Sequence, residues 1–271
     1  MNPGGGFINR CRTAVGTFAE GLLGLVYPPA CALCHEQRAL PASGHVCDTC
    51  RDRVRRISGP ICPRCGLPFS GSVTGAPGSC ADCRDASPPW DRARAAVHAE
   101  GVALEAVHRL KYQREPWFAT FLSGLLVEAA LPDLADRKVE GIIPVPLHRV
   151  RRREREFNQA ERLALPLARA LGVAVVTDRV QRVEPTRNQA TLDRRERRLN
   201  VRSAFGALGE GRLQGHWVVV DDVLTTGATA AAVCGVLRRM GVTEITVWAV
   251  ARATLDGPAP SAVAGRPSAV A

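Results

Sequence analysis

Residues 218–229 read VVVDDVLTTGAT, an apolar run that passes directly into two aspartates and then into small and hydroxylated residues. Three consecutive valines are typical of a buried strand, and the residues after Leu224 are typical of a loop that opens a helix. This order places the loop at the carboxyl end of a parallel strand, where open α/β sheets bind their ligands. We therefore expect this stretch to hold a ligand.

The chemistry of the loop indicates which ligand it holds. Backbone N–H groups at a helix start, joined by threonine hydroxyls, bind a phosphate, and Gly227 lets the backbone approach it closely. Carboxylates instead accept hydrogen bonds from a sugar diol, so the loop fits a ribose 5-phosphate. An acidic N-cap on an ordinary turn would explain one aspartate but not the whole ordered string. The predicted phosphoribosyl-binding residues are Asp221, Asp222, Val223, Leu224, Thr225, Thr226, Gly227, Ala228 and Thr229.

The sequence around this loop predicts an α/β fold with a mostly parallel sheet flanked by helices, because short β-rich runs alternate with helical patterns. Strands are predicted at 141–146, 173–176, 216–223 and 245–251. Helices are predicted at 96–112, 120–131, 157–172 and 225–241.

Eight of the ten cysteines form four C-x2-C pairs, in which each x2 turn aims two sulfurs at one tetrahedral ion. The predicted metal ligands are Cys31, Cys34, Cys47, Cys50, Cys62, Cys65, Cys80 and Cys83. Sequential pairing of the pairs gives two local four-cysteine sites, while an interleaved arrangement and iron–sulfur ligation stay open. We expect one or two structural zinc ions, because four thiolates leave no ligand position for water.

The composition divides the chain into four parts. Residues 1–29 contain a glycine run and predict a short helix, and 30–89 carry the cysteine pairs, where metal must replace a missing core. Residues 90–256 hold the α/β pattern. Residues 257–271 are rich in proline and small residues, and we predict that they are disordered.

Charge and cysteine usage bear on partners and location. The chain of 271 residues carries a net charge of +10, which favours a polyanionic partner. Several arginines near the cysteines are expected to offset thiolate charge: Arg51, Arg53, Arg55, Arg56, Arg64 and Arg84. The sequence predicts no membrane span and no signal peptide, and paired cysteines in a reducing compartment indicate metal, so we expect a cytoplasmic protein.

Four segments together resemble the ComF family, whose members are competence-associated proteins with an N-terminal double zinc ribbon and a type I phosphoribosyltransferase-like domain. The segments are the cysteine pairs, IIPVPLHRVRRREREFNQA (142–160), PTRNQATLDRRERRLNVRSAF (185–205) and DDVLTTGAT (221–229). The resemblance extends over residues 28–252. The family often has a glycine where this chain has Glu156.

The resemblance implies that phosphoribosyl pyrophosphate binds together with Mg²⁺, with Asp221 and Asp222 as the catalytic acidic pair. It also implies a pyrophosphate loop and a flexible hood that closes over the site. The residues expected to face the pyrophosphate are Arg149 and Arg152, with Lys111 of HRLKY near the site. The residues expected to face the ligand from the hood are Arg187, Asn188 and Gln189.

The resemblance and the basic charge together predict a DNA-uptake factor. It would bind phosphoribosyl pyrophosphate in the fold's ligand site and single-stranded DNA through the zinc ribbons and arginine-rich loops, with proteins of the uptake machinery as partners. Two alternatives stay open: a phosphoribosyltransferase with an unknown acceptor, and a nucleotide-sensing module without catalysis. Neither arginine-rich loop offers an evident nucleobase site, because no aromatic lies near enough in sequence to suggest a stacking platform except Phe157 and Phe205.

Overall fold

The computed structural model describes residues 29–69, 78–85, 87–183, 204–209 and 211–253. The predicted N-terminal helix, the hood residues Arg187, Asn188 and Gln189, and the predicted disordered tail all lie outside these ranges. No helix in the described ranges is long and apolar enough to cross a membrane.

A four-stranded parallel sheet forms the centre of the fold. In chain order its strands are β1 (Arg92–His98), β2 (Val139–Pro144), β5 (His216–Leu224) and β6 (Glu244–Arg252), and their order in the sheet is β1-β6-β5-β2. Two short strands, β3 (Val180–Arg182) and β4 (Phe205–Ala207), form a separate antiparallel pair. The sheet confirms the predicted α/β class.

Seven α-helices lie in the described ranges. Two short ones belong to the cysteine-rich part: α1 (Asp48–Asp52) and α2 (Ala81–Asp85). The others are α3 (Gly101–Tyr112), α4 (Phe118–Leu134), α5 (Arg149–Arg155), α6 (Gln159–Leu171) and α7 (Ala228–Arg239). The Asn158 side chain caps α6 by accepting from the Ala160 N–H at 3.2 Å, and Gly172 ends that helix in a left-handed conformation.

The three valines of β5 are buried because both faces of the sheet are covered. Val218 and Val220 belong to a core shared with α3, α4 and α6, whereas Val219 belongs to a core shared with α7. Each of the three has 0% of its surface exposed. A strand covered on both faces is expected to read as a continuous apolar run, as this one does.

The predicted helix over 96–112 is wrong at its start. Residues 96–98 complete β1, which pairs with β6, and the helix begins only at Gly101. Alanines at this point suit a helix in isolation, but pairing and burial in the sheet override that local preference. The predicted strand at 173–176 is reduced to a single parallel bridge between Val175 and Ile142.

The cysteine-rich part packs directly against the sheet and its helices. The segment between the two cysteine groups pairs with the outer edge of β1, where the Ile57 N–H donates to the Ala96 carbonyl at 3.1 Å and the His98 N–H donates to the Arg55 carbonyl at 2.9 Å. Covering an edge strand in this way removes an exposed row of backbone donors and acceptors. The cysteine-rich part therefore completes the α/β core.

Truncation of a buried leucine in α4 tests the importance of this core. We expect Leu122→Ala to lower the free energy of unfolding by about 2–5 kcal/mol, because Leu122 is completely buried and its loss leaves a cavity. Leu165→Ala in α6 is the matched control, since Leu165 is 39% exposed and its truncation should change stability by less than about 0.5 kcal/mol. Urea unfolding in zinc-containing buffer measures both, and equal effects would contradict this assignment of the core.

Candidate ligand site and metal centres

The stretch 225–227 forms the loop between β5 and α7 at the carboxyl edge of the sheet. The predicted helix over 225–241 thus begins three residues late, at Ala228. Within the described ranges, the N–H groups of Thr225, Thr226 and Gly227 donate to no backbone carbonyl. Such N–H groups at a helix start can bind a phosphate.

Gly227 is required at this turn for two independent reasons. Its φ is +75°, in the left-handed region that favours glycine, and a Cβ built there would lie 2.8 Å from the Trp90 ring. The Trp90 side chain therefore packs directly against the backbone of the loop. The sequence alone gives no sign of this contact, because Trp90 lies far upstream in the chain.

Lys111 lies opposite the acidic pair. Its Nζ contacts the Asp222 Oδ1 at 2.7 Å, and the two side chains are only 19% and 15% exposed. The resemblance associated Lys111 with the pyrophosphate, and the structure shows it paired with a carboxylate. An ammonium has three N–H donors, so this pairing leaves donors for a ligand oxygen.

The two aspartates differ in their surroundings. Withdrawal from water and the neighbouring Asp222 charge raise the pKa of Asp221 to about 7, although Lys111 acts in the opposite direction. Burial acts to lower the pKa of Lys111, but the charge of Asp222 and its hydrogen bond raise it overall. Lys111 therefore keeps its charge beside Asp222, whereas Asp221 changes its protonation state near neutral pH.

The arginine-rich segment that follows β2 forms helix α5. Arg149 and Arg152 lie exposed on this helix, so they are accessible to an anion. The helix ends at Glu156, whose φ is +66°, in the region where a glycine is favoured. The family's frequent glycine thus matches the backbone that this chain adopts with Glu156.

A cavity of about 320 Å³ lies between the end of α3 and α5. Its lining residues are Leu110, Lys111, Tyr112, Arg114, Arg151, Glu154, Arg155 and Phe157. Tyr112 is 62% exposed, and the Arg155 guanidinium lies over its ring at 5.1 Å from the centroid. Sequence reasoning missed Tyr112, whose signal is its position beside Lys111 in HRLKY. The structure therefore places an exposed aromatic ring beside the arginine-rich helix α5.

The eight cysteines form two separate groups, which confirms sequential pairing. One group is Cys31, Cys34, Cys47 and Cys50, and the other is Cys62, Cys65, Cys80 and Cys83; within each, all four sulfurs lie within 4.8 Å of one another. A tetrahedral zinc with Zn–S bonds of about 2.3 Å places its sulfurs about 3.8 Å apart. The observed Sγ–Sγ distances include 3.9 Å, 3.7 Å and 3.6 Å, so the residues fit one zinc ion in each group.

Backbone donors prepare the first cysteine of each group as a metal ligand. The Cys47 N–H donates to the Cys31 sulfur at 3.4 Å, and the Cys80 N–H donates to the Cys62 sulfur at the same distance. Burial acts to raise the pKa of both thiols, but these and neighbouring backbone N–H groups lower the pKa to about 6 for Cys31 and about 7 for Cys62. A lowered pKa favours the thiolate, which is the form that binds metal.

The arginine that contacts a cysteine sulfur comes from an unexpected part of the chain. Arg51 and Arg56, expected from sequence to offset the thiolates, contact Glu128 at 3.0 and 3.1 Å. Arg252, at the end of β6, instead places Nη2 at 3.8 Å from the Cys65 sulfur. This residue is 6% exposed, and sequence reasoning gave it no role.

Comparison with known proteins relates the chain to one domain family and to two curated proteins of similar sequence. Residues 22–88 match the double zinc ribbon domain family. The chain is 36% identical over 236 residues to the DNA utilization protein YhgH of Salmonella typhi, covering 84% of this chain and 99% of that protein. It is 32% identical over 217 residues to Competence protein F of Haemophilus influenzae, covering 78% and 92% respectively.

Among solved structures, an adenine phosphoribosyltransferase matches with 20% sequence identity and a TM-score of 0.33. The match covers 53% of this chain and 74% of the other.

The protonation of Asp221 makes a prediction about stability. Its folded pKa of about 7 lies above its ordinary value of 3.8, so its charge destabilises the fold above neutral pH and the penalty is relieved as pH falls. We expect Asp221→Asn to be more stable than the original protein at pH 8, by at least ~1 kcal/mol, and to keep only a smaller part of that advantage at pH 5, because the difference shrinks as pH falls through 7 and vanishes only below the ordinary pKa of 3.8. Urea unfolding at both pH values measures the difference.

The matched control is Asp222→Asn, which removes the partner of the largely buried Lys111. This variant should be less stable than the original protein at pH 8, because the ammonium of Lys111 loses its hydrogen-bonded counter-charge. If the two variants shifted stability in the same direction, the distinct roles of the two carboxylates would be contradicted.

Proposed function

This chain belongs to the ComF family of competence-associated proteins, and we propose that it binds phosphoribosyl pyrophosphate with Mg²⁺, binds single-stranded DNA, and acts in DNA uptake. The names of the two relatives, a DNA utilization protein and a competence protein, support a role in DNA handling. We further propose that it works in the cytoplasm, where eight reduced cysteines suit metal binding, and contacts proteins of the uptake machinery.

The proposal rests mainly on one short loop that directly follows the acidic pair Asp221 and Asp222. The loop presents backbone N–H groups that donate to no backbone carbonyl of the described residues. The carboxylates of Asp221 and Asp222 suit the ribose diol, while the N–H groups and hydroxyls from Thr225 to Thr229 suit the 5-phosphate. These groups stand at the carboxyl end of a parallel strand. Mg²⁺ bound by the diphosphate would neutralise part of its charge at this site.

The pyrophosphate needs cationic donors beyond the loop. We propose that Arg149 and Arg152 of α5 supply them, because exposed guanidinium groups bind paired phosphate oxygens through forked donors. Lys111 lies next to the acidic pair, where it would contact the pyrophosphate as well. The hood residues Arg187 and Gln189 lie outside the described residues, and we propose from the sequence alone that they contact the ligand.

The cavity beside Lys111 suits a nucleotide of single-stranded DNA. An exposed Tyr112 ring gives a base a stacking surface, and Arg114, Arg151 and Arg155 around it suit the phosphates. Stacking and charge are the two terms that bind single strands without sequence preference. This arrangement favours DNA binding over a purely nucleotide-sensing function.

Catalysis remains the principal alternative. In that function Asp221 and Asp222 would hold the ribose while an acceptor displaced pyrophosphate at the anomeric carbon. Release of pyrophosphate, measured with and without single-stranded DNA, distinguishes a transferase from a binding protein.

Binding of phosphoribosyl pyrophosphate is tested by calorimetry at pH 8 with Mg²⁺. We expect the original protein to bind it and the double variant Asp221→Ala/Asp222→Ala to bind at least ~100-fold more weakly, because two charge-assisted contacts are lost. Asp52→Ala is the control, since Asp52 is an exposed carboxylate in α1 of the cysteine-rich part. Absence of binding by the original protein, or equal binding by the double variant, would refute the ligand assignment.

Binding of single-stranded DNA is tested by fluorescence anisotropy with a labelled oligothymidylate. We expect the affinity to fall steeply with added salt, because phosphate contacts release counterions. Tyr112→Ala should weaken binding about tenfold by removing a stacking surface, whereas Tyr112→Phe should retain it because the ring remains. If Tyr112→Ala bound as tightly as the original protein, the cavity would not be the DNA site.

A further inference from the structure

The second cysteine group contacts the ligand loop through Arg252. This arginine is almost completely buried, and its Nη1 donates to the carbonyl of Leu224 at 3.1 Å and to that of Thr225 at 2.8 Å. From the same guanidinium, Nη2 points to the Cys65 sulfur at 3.8 Å. One planar side chain therefore joins a metal ligand to two consecutive carbonyls at the start of the loop.

A second connection reaches the other end of the same loop. Arg64, between Cys62 and Cys65 in the metal-binding turn, accepts a hydrogen bond on its carbonyl from the Trp90 Nε1 at 3.0 Å. The ring of Trp90 packs against Gly227, where an added Cβ would come within 2.8 Å of it. The cysteine turn is thus linked to the loop on both sides of Thr226, through Arg252 at Thr225 and through Trp90 at Gly227.

The charge of the metal centre explains why a buried arginine is stable there. Zinc with four thiolates carries a net charge of about −2, and a buried guanidinium requires a nearby anion. The first cysteine group has no equivalent link to the loop within the described residues, so it serves as an internal control.

We propose that zinc in the Cys62, Cys65, Cys80 and Cys83 group holds the phosphoribosyl loop in its binding conformation through Arg252 and Trp90, which couples metal retention to ligand binding. Arg252 acts as a positioning residue, because its donors contact the loop carbonyls and leave the N–H groups of Thr225 and Thr226 free for the phosphate. The identity of the bound ligand in this proposal rests on the proposed function. The link between zinc in the second cysteine group and the loop does not.

Thermodynamic linkage makes the proposal reciprocal. If zinc in this group raises the affinity for a phosphoribosyl ligand, the ligand must stabilise zinc in the same group by the same factor. We expect a factor of about ten, within the usual range for coupled sites. Zinc in the first group should show no such effect.

The test compares the zinc-loaded full chain with Arg252→Met and Arg252→Lys. Alkylation under chelator, mapped by mass spectrometry, reports metal loss separately at Cys34 and at Cys83. We expect ribose 5-phosphate to slow alkylation of Cys83 about tenfold in the original protein and to leave Cys34 unchanged. Arg252→Met should abolish this protection while both groups still load zinc, and Arg252→Lys should restore part of it because one cationic donor remains.

Hydrogen exchange of the peptide spanning residues 224–230 gives a readout that needs no ligand. Exchange should rise in Arg252→Met, rise less in Arg252→Lys, and rise in the original protein when chelator removes its zinc. Equal exchange in all these samples, or equal ligand protection of Cys34 and Cys83, would overturn the proposal. If the original protein did not bind ribose 5-phosphate, the proposed function would be refuted. The hydrogen-exchange data alone would then decide whether zinc in the second cysteine group holds the loop.

Discussion

Burial of β5 on both faces is the constraint on which the rest of the structure depends. Val218, Val219 and Val220 are inaccessible to water, so helices must cover the sheet on both sides. Parallel strands covered in this way direct their carboxyl ends to one edge, and the loop after β5 lies at that edge. The burial that stabilises the strand therefore also positions the acidic pair and the open N–H groups.

Two adjacent carboxylates at a partly buried edge create an electrostatic cost that the positive charges of Lys111 and Arg182 reduce. Lys111 contacts Asp222 at 2.7 Å, and Asp221 is left with a pKa near 7. Withdrawal from water and the neighbouring Asp222 charge both disfavour the ionised form of Asp221, so this carboxyl takes up a proton near neutral pH. A ligand diol at this place would donate hydrogen bonds to the carboxylates, and a bound cation would supply positive charge. Lys111 by itself does not provide these to both carboxylates.

Local patterns made the metal groups and the ligand loop predictable from the sequence. Each C-x2-C turn sets the direction of two sulfurs, and the order of VVVDDVLTTGAT sets a strand, an acidic turn and a helix start. Contacts between distant segments were not predictable, because nothing local links Lys111 to Asp222 or Trp90 to Gly227. Strand β1 was missed for the same reason, since pairing with β6 decides its conformation.

The expected source of charge compensation at the metal groups shows this limit most clearly. Arginines close to the cysteines in sequence were the natural candidates, yet Arg51 and Arg56 contact Glu128 at the surface. The sulfur contact comes from Arg252, 187 residues beyond Cys65, because the parallel sheet brings the end of β6 beside the second cysteine group. A surface arginine can exchange its partner with water at little cost, whereas a buried one depends on a fixed anion. The metal centre thus supplies a fixed negative charge for the buried Arg252 at the end of β6, which a small apolar core could not supply.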